Sequence, residues 1–133
     1  MAGTIVLDAI TDGTGNTVSG STVVNGSAKA WVRFTVSGTT PTIVSSFNIS
    51  SVTYTATGQF SFTFTTALAN ANYTAVGNSG INTALTAFVN SMCFGSNVGG
   101  SYYTVPTTSG FTMSYVNTAQ AFDNPKYVCL LVC

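Results

Sequence analysis

Residues 47–77 read FNISSVTYTATGQFSFTFTTALANANYTAVG, and the middle of this stretch alternates strictly. Val52, Tyr54 and Ala56 fall on one parity, with Thr53, Thr55 and Thr57 on the other. Beyond Gly58 the apolar set is Phe60, Phe62 and Phe64, against Ser61, Thr63 and Thr65. Successive side chains of a strand point to opposite faces, so a period of two means half-buried strands. Gly58, with Gln59, supplies the turn between the runs. The stretch therefore predicts a β-hairpin with an aromatic core face and a Ser/Thr outer face, and it fixes the fold class as β.

The rest of the chain repeats this pattern in shorter runs. Residues 3–10 (GTIVLDAI) read as a short strand. Residues 28–36 (AKAWVRFTV) read as a clear one. Its core side is Ala28, Ala30, Val32, Phe34 and Val36, and its other side is Lys29, Trp31, Arg33 and Thr35. Further strands are expected at 43–49, 73–76, 85–94, 102–105 and 111–116, with loops at 78–84, 95–101 and 117–125. The chain closes on KYVCLLVC, whose unbroken apolar run predicts a strand buried on both sides, in mid-sheet or at a subunit interface. About nine short strands with turn signals between them describe an all-β chain, an antiparallel β-sandwich or jelly-roll-like domain. Residues 11–27, TDGTGNTVSGSTVVNGS, have the Gly/Ser/Thr/Asn composition of turns and extended chain and too few apolar groups to build a core. The division expected is an N-terminal arm with a first strand over 1–27 and the β-sandwich domain over 28–133. The arm is expected to gain order by packing on neighbours.

Charge narrows the choice of partners. Lys+Arg is 3 and Asp+Glu is 3 in 133 residues, a charged fraction of 5% and a net charge of zero. A typical soluble domain is about 25% charged. With 45% hydrophobic residues and so few charges, much of the surface is expected to be covered by copies of the chain or by a larger assembly. Three basic residues cannot neutralise a phosphate backbone or hold an anionic membrane, so neither nucleic acid nor membrane is an expected partner. The start, MAGTIVLDAI, lacks the basic and long apolar regions of a secretory signal. The three cysteines, Cys93, Cys129 and Cys133, do not suggest a disulfide framework. Cys129 and Cys133 would stand ~13 Å apart along one strand, too far to bridge, and read as buried free thiols.

The residues that usually carry chemistry are missing. The chain has no His and no Glu, which removes Ser/His and Cys/His pairs and leaves only Asp8, Asp12 and Asp123 for carboxylate chemistry. Asp12-Gly13-Thr14-Gly15-Asn16 reads as a turn, since a cation loop needs further acids. No catalytic residue, metal ligand or cofactor is expected. The binding or interface candidates are Lys29, Trp31 and Arg33 on the non-core side of one strand, with Tyr102 and Tyr103. Two cationic side chains there flank the only Trp.

GSAKAWVRF (residues 26–34), the Phe-alternating hairpin with its following ANAN-Tyr, and the closing NPKYVCLLV together resemble a recurrent β-domain of bacteriophage virion proteins. That domain occurs at the ends of tail fibres and as small stand-alone structural proteins of marine and cyanobacterial phages. The resemblance runs from about residue 26 to the C-terminus, with residues 78–110 outside it. It implies a phage surface protein, a homotrimer found in the virion after synthesis in the host cytoplasm. A tail fibre needs a shaft, and only a short arm precedes the domain, so a small trimer that decorates or cements the capsid is the first expectation. Its partners would be copies of itself and other virion proteins, such as the major capsid protein or tail proteins. The second is a fibre tip or other appendage that binds a host glycan, with Trp31, Tyr54, Tyr102 and Tyr103 as stacking rings.

Overall fold

A computed structural model of the chain describes residues 3, 8–80, 91–94, 105–116 and 121–133, with backbone alone at 25 and 91–94. The fold is all-β, two four-stranded antiparallel sheets stacked as a sandwich. The arm comes first: β1 (Ala9–Thr11), β2 (Thr17–Ser19) and α1 (Gly20–Gly26). The first sheet has the order β4-β3-β10-β7, from β3 (Ala30–Ser37), β4 (Thr40–Phe47), β7 (Ala75–Gly80) and β10 (Tyr127–Val132). The second has the order β5-β6-β9-β8, from β5 (Ile49–Ala56), β6 (Gln59–Phe64), β8 (Ser91–Phe94) and β9 (Gly110–Val116).

The alternating hairpin is β5–β6, with Val52 opposite Phe62 and Tyr54 opposite Phe60. Its turn is Thr57–Gly58, and Gln59 already belongs to the strand. Gly58 sits at φ 68, and a Cβ there would come within 2.6 Å of the Tyr115 carbonyl oxygen, so only glycine fits. Phe60, Phe62 and Phe64 are buried against Phe111, Met113 and Tyr115 of β9 and Phe34 of β3. Phe34 joins the sheets, its ring 5.6 Å from Phe60 and 5.7 Å from Phe62. Phe62 stacks on Phe111 at 4.8 Å. Gly110 lets the strands close this tightly, because a Cβ would stand 2.2 Å from the Phe62 carbonyl oxygen.

Two asparagines fasten the sheets at their corners. Asn48 ends β4 at φ 54, and β5 begins at Ile49, so the single strand expected over 43–49 breaks where the chain crosses between sheets. The Asn48 amide donates to the Lys29 and Thr66 carbonyls, and its Oδ1 accepts from the Thr66 N–H. At another corner Asn124 accepts from the Gly58 N–H and donates to the Gly38 carbonyl, tying one hairpin turn of each sheet together.

The closing strand differs from the sequence expectation in one respect. β10 lies in mid-sheet between β3 and β7, as expected, but its burial alternates. Val128, Leu130 and Val132 face the core; Tyr127, Cys129 and Leu131 are exposed. The second sheet covers only one face of β10, and no element of the described chain covers the other. Cys129 is therefore an exposed free thiol and Cys133 a half-buried one, rather than buried groups. The arm carries more structure than extended chain. The Asp12 carboxylate accepts from the Thr14 and Asn16 N–H groups, which shapes the β1–β2 turn. Ser19 caps α1 by accepting from the Thr22 N–H. Residues 78–80, expected in a loop, pair with β10 instead. The strand expected at 85–94 is described only as β8. Of the one expected at 102–105, residues 102–104 lie outside the described residues and Val105 is not in a strand.

Candidate functional site

The face of the β4-β3-β10-β7 sheet that no described element covers carries Trp31 and Arg33 at its middle. Directly opposed residues on neighbouring strands point to the same side, so the register reads as rows. Phe47 of β4 opposes Trp31 of β3, Trp31 opposes Leu131 of β10, and Leu131 opposes Val76 of β7. Four large apolar side chains thus cross the whole sheet in one line. They are 54%, 38%, 37% and 52% exposed in that order. Isolated exposed apolar side chains are ordinary, but a continuous row is a contact surface awaiting cover.

The next row is polar: Ser45, Arg33, Cys129 and Asn78. Between these two rows and their neighbours lies a shallow depression of about 540 Å³, lined by Trp31, Arg33, Val76, Asn78, Cys129 and Leu131 among others. One row further, Thr35 opposes Tyr127. β4 bulges between its partners of Arg33 and Phe34, which restores its register with Ile43 against the core and Phe47 on the outer face.

Of the residues singled out from sequence, Trp31 and Arg33 fall in the middle of this face. Lys29 lies at its end, where the ammonium donates to the Val24 carbonyl at the end of α1 and to Ser27 Oγ. Neither cation covers the indole; the cation–π contact is Lys126 over Tyr127, 5.7 Å from the ring centre. Tyr102 and Tyr103 lie outside the described residues. Tyr54 is not on this face. Its ring packs edge-on against Phe60 at 5.8 Å, as part of the core margin rather than as a stacking platform.

Phe47, Val76, Asn78 and Leu131 were not singled out. Leu131 could have been found by extending the alternation of AKAWVRFTV to KYVCLLVC, whose outward parity is Tyr127, Cys129 and Leu131. Phe47 and Val76 join the row only through pairing register, which no local pattern reveals.

The face offers contact chemistry more than reaction chemistry: apolar area, one planar ring, one guanidinium and one amide. Among the described residues no three His, Cys, Asp or Glu side chains cluster to hold a metal ion. The Asp12 carboxyl is held well below the usual carboxylate range by hydrogen bonds from Asn16 and Thr14, and its acceptors serve its own turn. Tyr73 is pushed up to about 12 by burial, against an opposing hydrogen bond to the Thr107 carbonyl. Tyr115 is pushed up further by burial in the core, and its hydroxyl has no hydrogen-bond partner among the described residues. Neither tyrosine lines the outer face.

No protein-family model, no curated protein and no solved structure matches the chain.

Proposed function

We propose that the chain is a non-enzymatic structural protein of a phage particle, a small homotrimer on the virion surface that decorates or cements the capsid. The observation that carries this reading is the apolar row Phe47–Trp31–Leu131–Val76, laid open across a sandwich that has almost no charge to keep it apart from its neighbours. A surface of this kind suits permanent contact with protein. The absence of His and Glu from the chain leaves little to carry proton transfer near neutral pH. The sequence resemblance to virion β-domains supplies the setting, with capsid or tail proteins as neighbours and no cofactor. Imaging of purified particles tests it. Density for the chain between capsomers is the expected result, and absence of the chain from purified particles refutes the proposal.

A second reading is favoured by the depression beside Trp31. An indole flanked by Arg33 and Asn78 combines a flat apolar face with polar donors, the chemistry that holds a sugar ring. On this reading the chain is a fibre tip or other appendage that binds a host-surface glycan, and its density lies at the tail. Trp31 is the only Trp, so saccharides that quench its fluorescence would support this second reading. Binding to host cells that survives Trp31→Ala would refute it.

A further inference from the structure

The arm is held by its own turn and cap more than by the sandwich. β1 and β2 form a two-stranded sheet of their own, and among the described residues no strand of the sandwich pairs with them. Ile10, Val18, Val23 and Val24 are all exposed. An isolated hairpin this short is marginal in water, and so is a helix of two turns. The arm is also acidic. Residues 8–26 hold Asp8 and Asp12 and no Lys or Arg, a net charge of −2 from two acids and no bases.

The outer face of the sandwich has the opposite pattern on the same ruler. Within the strands, Ile10 of β1 and Trp31 and Arg33 of β3 are exposed; Asp8 and Asp12 stand just before and just after β1, and Lys29 just before β3. At alternate positions one run is acid, apolar, acid; the other is base, apolar, base. Both span four residues, ~13 Å of extended chain. The Arg33 guanidinium makes no hydrogen bond or ion pair among the described residues.

We propose that the arm of one copy docks on the outer sheet face of a second copy, with Ile10 over Trp31 and the Asp8 carboxylate beside the Arg33 guanidinium, while Asp12, bonded in its own turn, and Lys29, bonded to Val24 and Ser27, flank the contact. The chain's own face is a poor alternative. Lys29 fastens the end of α1 at the rim, where Val24 and Lys29 share a recess with Leu68, Tyr73 and Cys133. β1 and β2 therefore leave the sandwich at its end. Contact between two outer faces is also insufficient. Four strands about 4.8 Å apart and six residues long give roughly 400 Å², half of the ~800 Å² per partner of a stable interface. Arm-to-face contact engages both surfaces of every copy. Such contacts are head-to-tail, so they close into a ring when the rotation allows, and a trimer is one such ring. The inference rests on the reading above only in that copies associate.

The test uses the full chain and two exposed positions. Wild type should run in light scattering as a multiple of 13.7 kDa, with Trp31 emission shifting to the blue as concentration rises. Ile10→Glu and Arg33→Glu should each weaken self-association at least tenfold, with melting by circular dichroism showing that both remain folded. Mixed together, the two variants should pair one to one, because each still offers the surface the other has lost. Trp31→Glu serves as a second face variant in the same mixture. A wild type that stays monomeric overturns the inference. If Ile10→Glu then lowers its melting temperature, the arm lies on its own sheet. Variants that dissociate but fail to pair when mixed also overturn it, since they indicate like-to-like contact. If wild type associates and neither variant weakens it, the inference fails while the virion reading stands. If the variants behave as expected and purified particles lack the chain, the virion reading fails and the inference stands.

Discussion

The half-buried Asn48 should contribute several kcal/mol to this fold, roughly the sum of two parts. Its amide group makes three hydrogen bonds, at 3.2 Å to the Lys29 carbonyl, 3.1 Å to the Thr66 carbonyl and 2.8 Å from the Thr66 N–H. These join the start of β3 to the chain just beyond β6. At about 1 kcal/mol net for each, the side chain contributes roughly 3 kcal/mol. Its backbone is at φ 54, a conformation asparagine tolerates and a residue with an ordinary Cβ resists. For alanine the left-handed conformation adds about 1 kcal/mol. Asn48→Ala should therefore cost about 4 kcal/mol, out of the roughly 7–20 kcal/mol typical of a chain this long. Asn48→Gly loses the same bonds but relieves the backbone, and should cost about 1 kcal/mol less than alanine.

Urea melts followed by the emission of Trp31 measure both variants. Protein concentration must be fixed, because association raises apparent stability. With a slope of about 2 kcal/mol per molar, Asn48→Ala should lower the midpoint by about 2 M without changing the slope. Equal losses for alanine and glycine would refute the backbone part. A loss below about 1 kcal/mol for alanine would refute the hydrogen-bond part, since it is smaller than the low end of three such bonds. Asn48 also borders Phe47, the first side chain of the apolar row, so self-association should weaken in parallel.

Tyr115→Phe should stabilise the fold by about 1–2 kcal/mol, because it removes a buried hydroxyl with no partner among the described residues and leaves the edge-on contact with Phe60 intact; a destabilised variant in the same urea melt would show that the hydroxyl is satisfied. Gly110→Ala should cost more than about 2 kcal/mol, since its Cβ meets backbone rather than a movable side chain, and an unchanged thermal midpoint would contradict the close approach of β6 and β9. Both Tyr73 and Tyr115 have raised folded values, so the fold favours their protonated forms. Their contribution is complete below the unfolded phenol value of about 10 and is lost as pH rises above it; alkaline unfolding should be blunted in Tyr115→Phe. Asp12 has the opposite sign: its folded value is depressed, so its contribution to the arm turn is present above the ordinary carboxylate range and lost only well below it. The amide resonances of Thr14 and Asn16 should hold their positions as pH falls through about 4, and movement there would show that these hydrogen bonds do not hold the Asp12 carboxyl below its ordinary range.

Where the chain alternates between apolar and polar residues, the sequence was easy to read. The β5–β6 hairpin, the inward Phe111–Met113–Tyr115 set and the outward Trp31 all follow from a period of two, because burial on one face leaves a polar trace on the other. That rule fails where both faces are apolar. In β10 the run of Tyr127 to Cys133 carries no polar mark, so a strand with one covered face reads the same as one with two. The break at Asn48 was invisible for another reason. Its three bonds reach backbone 18 and 19 residues away, and nothing in the local pattern announces them. α1 escaped notice because Gly20, Thr22 and two valines are poor helix formers, and only the Ser19 cap favours a helix there.

The same ambiguity in β10 bears on function. A strand in mid-sheet could have carried threonine or lysine at its outward positions, as β6 carries Ser61 and Thr63, and the core would have been unaffected. Instead its outward side carries Tyr127, Cys129 and Leu131, and Trp31 and Val76 flank Leu131 from both sides. Apolar residues on both faces of one strand are the pattern of a strand buried twice. The described residues of the chain bury it once. Reading KYVCLLVC as a doubly buried strand is thus wrong for the isolated sandwich and becomes correct if a second surface covers the outer face. An arm bearing acid, isoleucine, acid on the spacing of base, tryptophan, base is a surface that the chain itself supplies.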